Sequence, residues 1–158
     1  MKENVIRVLS RRRHEIHQRW EALLRLERVT TPLANPDALV HMIDWTLDRV
    51  FKELRGRRAT RPGPAPSSVA AVRGSCECGH NPFLAHFLAG EQALLEALVT
   101  VQKEASSPDP VHRGTEVAEL YVAINAVANR EVESICALCT RRVQATIPRP
   151  QPVALAYT

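Results

Sequence analysis

Aromatic residues are scarce in this chain: three Phe, two Trp and two Tyr among 158 residues, 4% in all. A core of that size must be built from Leu, Val, Ile and Ala, a mixture that favours packed helices over a sandwich of strands. Glycine is also scarce, at six. None of the six forms a phosphate-cradling loop or a Gly-x-Ser-x-Gly elbow, and His-Glu-x-x-His is absent. The signatures of nucleotide-dependent enzymes, serine hydrolases and zinc proteases are therefore missing, and the reading leans away from an enzyme. No apolar run reaches the roughly 18 uninterrupted residues of a membrane span. Met1-Lys2-Glu3-Asn4 opens an amphipathic, Arg-rich stretch without the compact apolar segment of a secretory signal. Glu3, Glu15 and Glu21 spoil the acid-poor pattern of a mitochondrial presequence. A cytoplasmic location with no membrane partner is the expectation.

Hydrophobic residues make up 45% of the chain and charged residues 24%, which suits one globular domain. Four amphipathic segments carry it. The first runs from about Glu3 to Val29, with Ile6, Leu9, Ile16, Trp20, Leu23 and Leu24 at helical spacing. The second follows Asn35-Pro36, where Asn35 caps and Pro36 takes the first helical position. The third opens on the same pattern at Asn81-Pro82. The fourth runs from about Thr115 to Val143, after the breaker Ser106-Ser107-Pro108-Asp109-Pro110. The expected fold is all-α: a four-helix bundle, irregular rather than simple up-down, over residues 1–145. An Arg-, Pro-, Gly- and Ser-rich linker occupies 55–75 between the second and third helices. Pro148, Pro150 and Pro152 make 146–158 an extended tail.

All four cysteines fall in two tight pairs, Cys76-Glu77-Cys78-Gly79-His80 and Cys136-Ala137-Leu138-Cys139. The second pair lies on a helix, where positions three apart share a face. The first lies in a turn before a helix, with Gly79 free to adopt a positive φ. Cys76, Cys78, Cys136 and Cys139 would supply four thiolates to one tetrahedral zinc ion, and an iron–sulfur cluster is the alternative cofactor. His80 or His86 could replace one sulfur. Four thiolates leave no open coordination position, so such a metal is structural or sensory. Two other readings of the same cysteines stay open: buried small hydrophobes, and a thiol-based redox sensor with Cys76 or Cys78 activated by the helix end.

Charged residues also fall within the apolar stripes. Glu91 sits seven after Leu84, Glu131 sits seven after Ile124, and Arg13 and His17 interrupt the first helix. One reading is a ligand-sensing bundle with a polar pocket around Glu91, Glu131, Arg13 and His17. The other pairs Arg13 or His17 with Glu91 or Glu131 at a helix crossing. Met42, Trp45 and Arg49 form a second face on the second helix. That face suits a homodimer contact or the C-terminal tail, and a Trp covered by its own chain is the plainer alternative.

Residues 1–61 carry 14 Lys/Arg against 8 Asp/Glu, and residues 62–158 carry 7 against 9. Arg11-Arg12-Arg13 with Arg55, Arg57, Arg58 and Arg61 could touch phosphates. No recognition helix or aromatic stacking platform accompanies them, which points away from nucleic acid. The expected function is a metal-binding, non-enzymatic helical regulatory or accessory protein, acting with an unassigned protein partner.

Overall fold

A computed structural model of the chain describes residues 1–27, 35–56, 81–105 and 109–146. These residues form six helices and, among themselves, no strand: α1 (Glu3–Arg11), α2 (Arg13–Leu26), α3 (Pro36–Val40), α4 (Ile43–Gly56), α5 (Pro82–Glu104) and α6 (Pro110–Thr146). The all-α class read from the sequence is the class observed. Most of the expected linker and tail, 57–75 and 147–158, lies outside the described residues.

Both Asn-Pro signals start helices. Asn35 Oδ1 accepts from the Asp37 N–H at 3.1 Å, and Asn81 Oδ1 accepts from the Phe83 N–H at 3.0 Å, each with proline in the first turn. Asp109-Pro110 works in the same way, with Asp109 Oδ1 accepting from the Val111 N–H at 3.1 Å. That cap starts α6 five residues before the expected Thr115. The first segment divides at Arg12, whose ψ of 13° leaves the helical range and separates α1 from α2. The second divides at His41-Met42.

Side-chain pairs fix the directions of the helices. Arg25–Asp37, His17–Asp44, Arg13–Asp48 and Arg55–Ser10 run α1 and α2 antiparallel to α3 and α4. Arg12–Glu104 and Arg19–Glu96 run α2 antiparallel to α5. Gln102–Glu116 at one end and Asn81–Val132 at the other run α5 antiparallel to α6. It follows that α4 and α5 are parallel.

The apolar core collects Ile6 and Leu9 from α1, Ile16 and Trp20 from α2, Ile43 and Leu47 from α4, and residues of α5 and α6 at helical spacing. Phe83–Glu104, with mean hydropathy 1.3, is long and apolar enough to cross a membrane by length and composition alone. Here α5 packs on α2 and α6 as well as α1, and just over half of it is buried. Its two-sided burial accounts for its composition.

Candidate functional site

The N-terminus of α5 is clamped to α6. While Asn81 Oδ1 caps Phe83, its Nδ2 donates to the Val132 carbonyl at 3.2 Å, and Asn81 is buried. One side chain thus starts α5 and docks it on α6. Val132 is fully buried, and positions 136 and 139 follow it at four and seven residues, the spacing of one helical face. Cys136 and Cys139 belong to α6; Cys76 and Cys78 lie outside the described residues. Among the described residues no group of three or more His, Cys, Asp or Glu is arranged to hold a metal ion. Asn81→Ala should cost about 1–2 kcal/mol, because it removes a cap and a buried hydrogen bond together. Urea denaturation of the variant checks this; a loss below about 0.5 kcal/mol would show the clamp to be incidental.

His86 is engaged elsewhere. It is buried, its Nε2 lies 3.0 Å from Thr46 Oγ1, and its ring lies 4.8 Å from the Trp20 ring and 5.4 Å from Phe87. The Thr46 hydroxyl donates to the Met42 carbonyl at 2.9 Å, so its oxygen accepts from His86. Nε2 therefore carries the proton, and Nδ1 is a buried acceptor without a hydrogen-bond partner. Burial alone pushes the imidazole pKa down from 6.5 to about 3. The pair Thr46 and His86 had no signal in the sequence, because forty residues and an unread helix register separate them.

The four residues read as a polar pocket do not meet at one site: Arg13 and His17 share Asp44, and Glu131 pairs with Arg49. Arg13 and His17 are brought together on Asp44: Arg13 Nε donates to Asp44 Oδ1 at 2.9 Å, and His17 Nδ1 lies 3.4 Å from Asp44 Oδ2. Arg13 also binds Asp48, and this hydrogen bond is the largest influence raising its pKa. The Arg13 guanidinium in turn holds the Asp44 carboxyl below the usual range. Glu131 is half-buried and accepts from Arg49 at 2.9 Å. Glu91 is half-buried, while the adjacent Gly90 faces the core. A cleft of about 170 Å³ between α2 and α5 is lined by Arg12, Glu15, Arg19, Glu96 and their neighbours, and by none of these four. Its arginines hold Glu104 and Glu96, each at 2.6 Å.

Trp45 is 38% exposed, and the Arg49 guanidinium covers its ring at 4.1 Å from the centroid. Arg49 thus joins Trp45 to Glu131, tying α4 to α6. Comparison with known protein families, curated proteins and solved structures finds no match to this chain.

Proposed function

We propose that this protein is a zinc-binding helical regulatory or accessory protein whose metal is held by Cys76, Cys78, Cys136 and Cys139. The observation that supports this reading is the hydrogen bond from Asn81 to the Val132 carbonyl. Cys78 is three residues before Asn81, a tether of at most about 11 Å. Cys136 is four residues after Val132, a rise of about 6 Å along α6. Two cysteine pairs some sixty residues apart in sequence are thereby tethered to a common contact. Two sulfurs on one zinc, each about 2.3 Å from the metal, require only that the short tether fold back, and Gly79 is suited to such a turn.

Four thiolates on Zn²⁺ carry a net charge of −2, which the positive end of the α5 dipole favours. The coordination shell is closed, so the metal acts on structure and signals through its presence. Its binding energy is folding energy, so occupancy decides how firmly the start of α5 holds the last third of α6.

Elemental analysis of the purified full chain tests the proposal. About one zinc per chain is expected, with Cys136→Ser and Cys139→Ser each losing most of it. One iron–sulfur cluster, recognised by equal iron and sulfide, would change the metal and keep the ligands. Metal-free protein with four freely titrating thiols would end the proposal. Metal-free protein with a disulfide between the pairs would replace it with thiol redox chemistry.

A further inference from the structure

We propose that the face formed by α1 and the last turn of α4 binds the phosphate backbone of a nucleic acid duplex without reading its sequence. This rests on how the cations are used, and it is independent of the metal. Arg12, Arg13, Arg19, Arg25, Arg49 and Arg130 each hold a carboxylate. Arg7, Arg11, Lys52 and Arg55 are exposed and make no ion pair among the described residues.

These four cations form one patch. Arg7 and Arg11 lie one turn apart on α1. Arg55 Nη2 donates to Ser10 Oγ at 3.3 Å, which pins the end of α4 beside α1. Lys52 sits one turn before Arg55. The acids on the same two helices are engaged: Asp44 and Asp48 by Arg13, Glu53 by Arg130, and Glu3 by a contact of its own. The positive charge of the patch is therefore left for an external anion.

The chemistry of the patch selects among anions. Three of its four cations are arginines, whose planar fork suits phosphate. An anionic membrane or an acidic protein surface would also want apolar side chains for insertion or for a buried anchor. The exposed large hydrophobic residues among the described ones are Leu26, Trp45, Val99 and Val111, none of them on this face. Phosphate contact with a duplex needs charge alone. A recognition helix and a stacking platform, whose absence the sequence shows, serve base readout and single strands. Their absence is compatible with backbone binding to a duplex.

Fluorescence anisotropy with a labelled mixed-sequence 20-base-pair duplex tests this on the full chain. Four neutralised phosphates give a slope of log affinity against log salt of about −3.6, or about a 100-fold loss between 50 and 200 mM salt. The wild-type slope needs no variant, so a folding defect cannot obscure it. Replacing Arg7, Arg11, Lys52 and Arg55 together by alanine should lower affinity at 50 mM salt by about 100-fold, while Lys103→Ala on α5 leaves it unchanged. The proposal is overturned by no duplex binding at 50 mM salt, by a flat salt dependence, or by wild-type affinity in the fourfold variant. Tighter binding to phosphatidylserine vesicles than to duplex would assign the face to membranes. Displacement by polyglutamate at equal charge would assign it to an acidic protein; either result ends the nucleic-acid reading.

Discussion

Trp20→Ala should lower the unfolding free energy by about 3–5 kcal/mol, the cost of emptying a buried Trp site. Trp20 is 1% exposed, and its indole Nε1 donates to the His86 carbonyl at 2.9 Å within the core. The ring lies directly against α5 because position 90 is glycine: a Cβ there would stand 2.1 Å from Trp20 Cζ2. The substitution loses apolar burial, a buried hydrogen bond and the α2–α5 contact together. Gly90 supplies the internal check. In the wild type, Gly90→Ala should destabilise by about 1–3 kcal/mol through overpacking. With Trp20 already replaced by alanine, the clash is gone and helix propensity alone should make the same change stabilising by about 1 kcal/mol. Urea denaturation of the four proteins reads both signs. An equal effect of Gly90→Ala in the two backgrounds would show that close approach to Trp20 does not decide the choice of glycine.

The same contact explains what the sequence could and could not reveal. The cap-plus-proline pairs at Asn35 and Asn81 are local chemistry, and both were legible. Asp109-Pro110 is equally local, but Ser106, Ser107 and Pro108 before it make it read as a breaker. The divisions at Arg12 and His41-Met42 were hidden, because the segments on either side keep helical spacing and the adjoining side chains find partners far away in sequence. Arg12 goes to Glu104, and Arg13 goes to Asp44 and Asp48.

On α5, the stripe through Leu84, Glu91 and Leu98 is only one of several that the composition allows. Trp20 selects the face containing Gly90, which turns Glu91 toward the margin. The partners of Arg13, His17 and Glu131 depend on interhelical register, to which hydrophobic periodicity is blind. The cysteine pairs stood out by residue type alone, whereas the Asn81–Val132 contact belongs to the tertiary fold.

Stability should fall steeply as the pH drops from 6.5 toward 3, and His86 should account for it. In the folded protein, desolvation holds the ring neutral down to about pH 3, with no opposing charge among the influences on it. The unfolded chain takes up the proton near pH 6.5. Between these values the unfolded state binds more protons, so stability rises with pH by about 1.4 kcal/mol per unit. Above pH 6.5 both states are neutral and the dependence vanishes; below about pH 3 it saturates. At pH 4.5 the loss relative to pH 8 should be about 3 kcal/mol. The paired carboxylates Asp44, Glu96 and Asp109, whose pKa values lie below normal, lose their contribution only at lower pH. Their exposure keeps that contribution small. His86→Leu removes the titrating ring and leaves Thr46 bonded to the Met42 carbonyl. Denaturation curves at pH 8, 6 and 4.5 should show the wild type losing about 3 kcal/mol more than the variant, since any zinc released from its thiolates in acid is lost from both proteins. Parallel losses in both would mean that another group senses the acid, and that the buried imidazole is not the origin of the pH dependence.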